Sequence, residues 1–152
     1  MEACRAFTSA VDVVNQIVAE RMGVNRTDHR VLEILNRRGS MTAGDLARAA
    51  HLTTGAVTAV VDRLEEVGYV RRVRDTDDRR RVLIERTLES TRTAMRYYRP
   101  FMAATSESMT KYSAEELEVV RDFMRGAAEL SEEYADELET EDGGSPSAAD
   151  PP

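Results

Sequence analysis

The chain has 152 residues, of which 41% are hydrophobic and 32% are charged, and its formal net charge at pH 7 is −7. This length allows one domain with a sizeable core, with or without appended helices. The apolar runs are too short for a membrane span, the N-terminus lacks the apolar segment of a signal peptide, and the single cysteine excludes an internal disulfide, so we expect a cytoplasmic protein without a membrane partner.

Apolar residues in the first forty positions recur at the spacing of two helices. We predict a first amphipathic helix over about residues 3–22, ended by Gly23 and Asn25. A second helix follows, with Thr27 as its N-cap and Gly39 at its end. Its core-facing residues would be Val31, Leu32, Ile34 and Leu35.

Two shorter helical patterns come next. The third helix is predicted to begin at Thr42, with Asp45 in the capping-box position. The fourth begins at Thr53 or Thr54 and ends at Gly68. The apolar residues expected to face the core in these two helices are Leu46, Ala47, Ala50, Val57, Val60, Val61, Leu64 and Val67.

The hydrophobic period then shortens to that of a strand. Alternating apolar residues on both sides of an acidic turn at residues 75–78 predict two short antiparallel strands. These residues are Tyr69, Val70, Val73, Val82 and Ile84.

Two long helices are predicted after this hairpin. Thr87 caps the fifth helix, in which Pro100 removes a backbone hydrogen bond and either kinks the helix or divides it in two. Ser113 and Glu116 form a capping box for the sixth helix. Residues 139–152 lack apolar periodicity and are rich in Pro, Gly, Ser and acidic residues, so we expect a disordered acidic tail.

Helices one, five and six carry more apolar surface than a small domain needs. The fifth has a seam with a seven-residue repeat, which favours a partner helix, and Tyr98 and Tyr112 are predicted on the same side. The seam consists of Leu88, Met95, Met102 and Met109. A single packed core is the alternative, but we expect a homodimer. Its candidate interface residues are Phe7, Val11, Val14, Met95, Met102, Met109, Leu117 and Met124.

The third and fourth helices form a helix-turn-helix, which an arginine-rich hairpin follows at once. Such a helix can lie in a DNA major groove while the hairpin reaches the neighbouring minor groove. Arginine suits both places because its planar guanidinium bonds two acceptors at once. Taken alone, the fourth helix could be an ordinary amphipathic helix. The residues of the expected DNA site are Thr53, Thr54, Gly55, Thr58, Arg63, Arg71, Arg72, Arg74, Asp78, Arg79, Arg80 and Arg81.

The acidic net charge does not oppose this interpretation. Residues 1–85 hold 14 Arg against 13 Asp and Glu, whereas residues 86–152 hold 7 Lys and Arg against 15 Asp and Glu. The acidic residues are therefore concentrated outside the expected DNA-binding part of the chain.

Residues 27–87 resemble the winged helix-turn-helix of the MarR (multiple-antibiotic-resistance regulator) family. The resemblance rests on LARAAHLTTGAVTAVVDRLEEVGYVRR and on the wing sequence DTDDRR. The wing fits the family pattern Asp-x-x-Asp-x-Arg at Asp75, Asp78 and Arg80. Thr76 stands where the family usually has Pro, a change that leaves the wing chemistry intact.

The resemblance implies a mainly α fold, a winged helix-turn-helix with a two-stranded β-wing between N- and C-terminal dimerisation helices. The domains would be a dimerisation helix (1–24), the DNA-binding domain (25–87), C-terminal dimerisation helices (88–138) and the tail (139–152).

Membership of this family would imply a homodimeric repressor that binds a pseudo-palindromic operator and is released by a small-molecule effector or by oxidation. Its partners are then double-stranded DNA, a second copy of the chain and that effector. The recognition helix would be 53–67 and the wing 69–86. Asp78 would brace an arginine and Arg80 would enter the minor groove, with Arg79 and Arg81 as phosphate contacts.

Other kinds of site have less support in the sequence. The acidic turn at residues 75–78 lacks the further ligands of a cation site, and His29 and His51 lie on different helices without a nearby cysteine. We therefore predict no metal and no cofactor. Cys4, near the start of the first helix, is either an oxidant sensor or a frayed terminal side chain.

The sequence also lacks the motifs of common enzymes, such as a nucleophile elbow, a phosphate loop or HExxH, so we predict no enzymatic activity. A second hypothesis is a winged domain that acts through protein contacts, with the acidic sixth helix and tail as its interaction surface. The two hypotheses differ in salt dependence, because only DNA binding through several arginines releases many counterions.

Overall fold

A computed structural model describes residues 2–142 of the chain, with side chains as far as residue 138. The chain is mainly helical and divides into two units, Met1–Met102 and Ala103–Pro152. Its elements are α1 (Glu2–Met22), α2 (Arg26–Arg38), β1 (Met41–Thr42), α3 (Ala43–Ala50), α4 (Thr54–Glu66), β2 (Val70–Arg74), β3 (Val82–Arg86), α5 (Leu88–Met109) and α6 (Ala114–Asp142).

Polar side chains begin α3 and α4 where the sequence predicts them. The Thr42 hydroxyl accepts the backbone N–H of Asp45 at 3.1 Å and donates to the Asp45 carboxylate at 2.6 Å, which confirms the N-cap. Thr53 caps α4 by accepting the backbone N–H of Ala56 at 3.2 Å. Both helices of the helix-turn-helix therefore have a defined first turn.

The predicted cap of α2 is wrong by two residues. The N-cap is Asn25 rather than Thr27, and its side-chain oxygen accepts the backbone N–H of Asp28 at 2.8 Å. Gly23 ends α1 with a φ of 73°, and Asn25 follows in extended conformation. Asn and Thr are both good N-caps, so residue type alone could not choose between them.

A third strand joins the predicted hairpin. The sheet is antiparallel with strand order β1-β3-β2, and β2 pairs with β3 along its whole length. The additional strand, β1, has two residues and places Met41 opposite Ile84. Because two residues show no periodicity, the sequence did not predict this strand. It connects the start of α3 to the inner strand of the hairpin.

The core of Met1–Met102 contains most of the apolar residues that periodicity selected. Val67, which ends α4 as its C-cap, and Val82 of β3 are each 50% exposed, and Tyr69 and Val73 are half-buried. The predicted core residues that are buried are Val31, Leu32, Ile34, Leu35, Leu46, Ala47, Ala50, Val57, Val60, Val61, Leu64, Val70 and Ile84.

The helix α5 begins as predicted, with Thr87 Oγ1 accepting the backbone N–H of Ser90 at 3.2 Å. It continues through Pro100 as one helix, so the alternative, a division of the helix at Pro100, is wrong. Tyr98, three residues after Met95 and four before Met102, lies on the predicted side of α5, at the edge that faces the core. It packs against the core and its hydroxyl lies 2.7 Å from Asn15 Oδ1, whereas Met102 is 53% exposed.

The second unit contains α6, which begins with the predicted capping box. The backbone N–H of Ser113 donates to Glu116 Oε2 at 2.8 Å, and the backbone N–H of Glu116 donates to Ser113 Oγ at 3.2 Å. The helix reaches Asp142, so the tail predicted from residue 139 begins too early. The rest of that tail, 143–152, lies outside the described residues. None of the described helices is long and apolar enough to cross a membrane.

Candidate nucleic-acid interface

The first two turns of α4 present small side chains to solvent. Thr54, Gly55 and Thr58 are exposed, whereas Val57 and Val60 on the opposite side of the helix are buried. A Cβ atom added to Gly55 would meet no protein atom within 4 Å, so packing within the chain does not require glycine there. This surface would let another molecule approach the helix backbone closely.

The threonine hydroxyls of this surface are not equivalent. Thr53 uses its hydroxyl oxygen to cap α4, and the Thr58 hydroxyl donates to the Thr54 carbonyl at 2.9 Å. Among the described residues, the Thr54 hydroxyl has no hydrogen-bond partner. Thr54 is therefore the threonine whose donor and acceptor are both available to a ligand.

The turn before α4 is formed by His51 and Leu52. His51 ends α3 in the left-handed region, with φ 53° and ψ 50°. Its backbone N–H donates to the Arg48 carbonyl at 3.1 Å, and the Leu52 N–H donates to the Ala47 carbonyl at 2.9 Å. These bonds close the last turn of α3 and set the direction in which the chain enters α4.

The structure places Arg63 in an ion pair within the domain. Arg63 Nε donates to Asp28 Oδ2 at 3.1 Å and Arg63 Nη2 donates to Asp28 Oδ1 at 2.5 Å. The hydrogen bonds to Asp28 raise the pKa of the Arg63 guanidinium above its ordinary value. The Nε–Nη2 edge of Arg63 is therefore engaged within the domain, while its role as a DNA contact stays a prediction.

Arg71 and Arg72 are also ion-paired. Arg71 bonds the carboxylate of Glu85, its partner in the β2–β3 register. Arg72 donates to Asp62 at 2.6 Å and also bonds the Glu65 carboxylate, and the hydrogen bond to Asp62 is the largest cause of its raised pKa. Arg72 thereby joins the wing to the end of α4. The acids of these pairs are more exposed than Asp28, the partner of Arg63. Replacing such an acid by a DNA phosphate would therefore cost less free energy at Arg71 or Arg72 than at Arg63.

The tip of the wing is held by its own backbone and by two aspartates. Asp75 Oδ1 accepts the backbone N–H of Asp77 at 2.9 Å, and Asp78 Oδ1 accepts the backbone N–H of Arg80 at 3.0 Å. Asp78 thus braces the main chain of Arg80 and not the guanidinium of an arginine. Arg81 Nη2 lies 3.8 Å from Asp45 Oδ2, a distance that leaves this pair weak.

Three arginines of the wing remain without a partner in the part of the chain that the structure describes. Arg74, at the end of β2, and Arg79 and Arg80, in the turn, are all exposed. Along the hairpin they follow Arg71 and Arg72, which lie nearer the start of β2 and are ion-paired. The wing therefore has cations engaged at its base and available at its tip.

The acidic partners of this network were not recognised from the sequence. Asp28, Asp62 and Glu65 hold two arginines that the sequence predicted as DNA contacts. A usable signal was present, since Asp62 and Glu65 are three residues apart and lie on one side of α4. No comparable pattern marks Asp28, whose partner is 35 residues away.

The predicted dimerisation residues are exposed or half-buried in the single chain. Val11, Val14 and Leu117 are half-buried, and the exposed members are Phe7, Met95, Met102, Met109 and Met124. Further large apolar residues of α6 are exposed. These are Val119, Val120, Phe123, Leu130, Tyr134 and Leu138. Phe123, for example, is 63% exposed. Together these residues give α6 a broad apolar surface.

The candidates for other chemistry have no site around them. Cys4 is free and exposed. Within residues 2–142, no group of three His, Cys, Asp or Glu residues is arranged to hold a metal ion. His29 is buried, and its Nε2 lies 3.3 Å from the Tyr98 hydroxyl.

Comparison with known proteins links this geometry to one family. The family model described as MarR family matches residues 24–82. The chain is 41% identical over 124 residues to the HTH-type transcriptional regulator YcgE of Bacillus subtilis (strain 168), an alignment that covers 82% of this chain and 80% of YcgE.

Solved structures share the fold at lower identity. A mutant of MepR from a multidrug resistant S. aureus clinical isolate has a TM-score of 0.71 at 19% identity, and the match covers 85% of this chain and 95% of that one. Streptococcus pneumoniae FabT, solved in complex with DNA, has a TM-score of 0.64 at 20% identity, with 88% and 95% covered.

Proposed function

The chain belongs to the MarR family of helix-turn-helix transcriptional regulators, and we propose that it is a cytoplasmic homodimeric repressor of a pseudo-palindromic operator. Residues 53–67 form its recognition helix and residues 69–86 its wing. The observation that carries the proposal is that an exposed, small-residue helix end is followed by a wing in which Arg74, Arg79 and Arg80 have no partner among the described residues.

Each part of this surface has a separate task in the proposal. Thr54 and Thr58 lie in the major groove and read base edges, while Gly55 lets the helix backbone approach the DNA. Arg80 enters the minor groove, with Arg79 as a phosphate contact. Because Asp78 holds the backbone of Arg80, less conformational entropy is lost when that arginine is ordered by DNA.

Dimer formation is supported by the exposed apolar residues of α1, α5 and α6. At about 25 cal/mol per Å² of apolar surface removed from water, a helical interface of ordinary size outweighs the entropy lost on association. A two-fold dimer would place its recognition helices about 34 Å apart, one turn of B-DNA. The operator would then be an inverted repeat with half-site centres about 10–11 bp apart.

We propose that a small-molecule effector binds in a groove beside the wing and releases the DNA. An open groove of about 570 Å³ lies beside the base of the wing. Its lining includes Leu35, Ser40, Arg71, Glu85, Arg86 and Leu88. A ligand in this groove would contact the Arg71–Glu85 pair and could thereby shift the hairpin.

The testing experiment is a selection of random duplex DNA by the purified chain, followed by titration of the selected duplex at several salt concentrations. We expect an inverted repeat and a steep fall in affinity with salt, because several arginines displace counterions. Weak binding without sequence preference would instead support the second hypothesis, a winged domain that acts through protein contacts of its acidic helix α6.

A further inference from the structure

Asp28 is a buried acidic residue in a domain proposed to approach a polyanion. Its side chain is 5% exposed, and among the described carboxylates it is the one that is buried. Burying a negative charge is costly unless it is paired and hydrogen-bonded. The buried charge of Asp28, near the start of α2, therefore needs a partner, and the sequence alone did not indicate which residue this is.

Both carboxylate oxygens of Asp28 are occupied. Arg63 reaches them with two nitrogens, at 2.5 Å to Oδ1 and 3.1 Å to Oδ2, in a fork geometry. Asn25 Nδ2 adds a third bond to Oδ2 at 3.0 Å, and Asn25 Oδ1 holds the backbone N–H of Asp28. The carboxylate thus links the N-terminal turn of α2 to the last turn of α4.

Another ion pair of α2 provides a contrast. Arg26, two residues before Asp28, pairs with Asp12 of α1 at 3.0 Å, but both side chains are mostly exposed. An exposed pair of this kind contributes little to the position of a helix. The Asp28–Arg63 pair is different because its acid is buried and its contact with Arg63 is bidentate.

We propose that Asp28, acting through Arg63, positions the recognition helix α4 for DNA binding, and that Arg63 is a positioning residue and not a DNA contact. This inference rests on the proposed DNA-binding function. Thr54 and Thr58 lie five to nine residues before Arg63 on the same helix, so a rotation or shift of α4 at Arg63 moves them away from the base edges that they read.

The two roles of Arg63 predict opposite effects of removing the negative charge at Asp28. If Arg63 contacted phosphate, Asp28→Asn would free its guanidinium and remove a charge that repels DNA, so affinity would rise. If the pair positions α4, Asp28→Asn loosens the helix, and affinity falls although the domain has become less acidic.

The experiment uses the full chain and the duplex that the wild-type chain selects, with Asp28→Asn, Arg63→Gln and the double variant. We expect each single variant to bind about tenfold more weakly, comparable to one mismatched base pair. The double variant should lose no more than either single one, because both remove the same interaction. Asp12→Asn is the matched control, since its exposed pair also joins α2 to a neighbouring helix, and it should bind like the wild type.

The salt dependence separates positioning from contact. The slope of log affinity against log salt should be unchanged in Arg63→Gln, whereas loss of a phosphate contact would flatten it by about 0.9. Circular dichroism and the thermal midpoint report whether each variant is folded. Affinity equal to or above that of the wild type in Asp28→Asn, or a flatter slope in Arg63→Gln, would overturn the inference.

If Asp28→Asn does not fold, a conservative variant of Arg63 distinguishes a positioning role from a phosphate contact. Arg63→Lys keeps the charge at a 48% exposed side chain and should leave the domain folded. A phosphate contact would survive this change, but a single ammonium cannot reproduce the two bonds to Asp28, so positioning predicts weaker binding. Failure of the wild-type chain to bind any duplex would reject the proposed function itself and is distinguishable from these outcomes.

Discussion

The two units of the chain differ in what their apolar side chains contact. In Met1–Met102, apolar residues of α1 to α5 and of the sheet form one buried core. In the described part of Ala103–Pro152, no side chain is buried, and large apolar residues of α6 are exposed along its length. The first unit therefore holds its DNA-binding surface in place by its own packing, whereas the second has apolar surface left for a partner.

In the proposed function, the first unit supplies the contacts with DNA and the second supplies the link between two copies. Contacts within the first unit orient α4 and the wing, so the arginines and threonines can be tested one at a time. The apolar surface of α6 would contribute indirectly, by joining two copies so that two half-sites are bound together. In the proposed dimer, packing of the apolar surface of α6 against the partner would stabilise this helix, because tertiary packing supplies most of the stability of helices in proteins.

The largest effect is expected from a charge placed on the apolar surface of the second unit. Phe123→Glu should produce a monomer that binds the selected operator at least about 100-fold more weakly, because the two half-sites are no longer linked. Light scattering measures the oligomeric state, and a gel shift measures affinity. Ser106→Glu, at an exposed polar position, is the control and should remain dimeric. A folded wild-type monomer at micromolar concentration would contradict this division of roles.

The next effect concerns the tip of the wing. Arg80→Ala should weaken operator binding by about 1–3 kcal/mol while the dimer stays folded, as expected for loss of a desolvated groove contact. Asp78→Ala should cause part of this loss, because Asp78 holds the Arg80 backbone.

A matched control for the wing is Arg125→Ala, which removes an arginine of α6 that is paired with Asp122. It should bind DNA like the wild type. Gel shifts in which Arg80→Ala also behaves like the wild type would rule out the wing tip as a DNA contact.

A smaller effect is expected at Gly55, where substitution should raise stability but lower DNA affinity. Ala there meets no neighbouring atom and favours the helix, so Gly55→Ala should raise the free energy of unfolding by up to about 1 kcal/mol. The added methyl group would nevertheless hinder close approach to DNA, so affinity should fall. Urea unfolding and fluorescence anisotropy measure the two quantities. An increase in both would show that DNA does not approach this residue.

The smallest effect is a pH dependence of the first unit. Burial lowers the pKa of His29 below its ordinary value of 6.5, so the unfolded chain binds a proton more readily than the folded chain. Stability contributed by neutral His29 is therefore complete above the unfolded pKa and is lost as pH falls below it. Thermal midpoints of wild type and His29→Gln should diverge at neutral pH and approach each other near pH 5. Parallel curves would exclude this contribution.

Much of the first unit was predictable because its signals are local. Helical spacing selected the buried residues of α2, α3 and α4, and the caps Thr42, Thr53 and Thr87 were identified by residue type and position. The hairpin followed from the change of period. These features depend on neighbours within about four residues, which a sequence displays directly.

Less of the candidate site was predictable, because its arginines look alike in the sequence. Arg63, Arg72 and Arg80 all lie in or beside the helix-turn-helix. The first two are engaged by acids of the same domain, whereas Arg80 has no partner within the residues that the structure describes. Long side chains can reach partners far along the chain. Which cation is engaged is therefore a property of the folded arrangement.

The sequence by itself determined the helix-turn-helix, the hairpin and the family, since these depend on periodicity, caps and a motif. Only the tertiary structure decided that Asn25 begins α2, that β1 joins the sheet, that Tyr98 faces the core and that Asp28 holds Arg63. The physical reason is that each of these features depends on a choice between competing partners, and it is packing that brings one partner within reach and excludes the others.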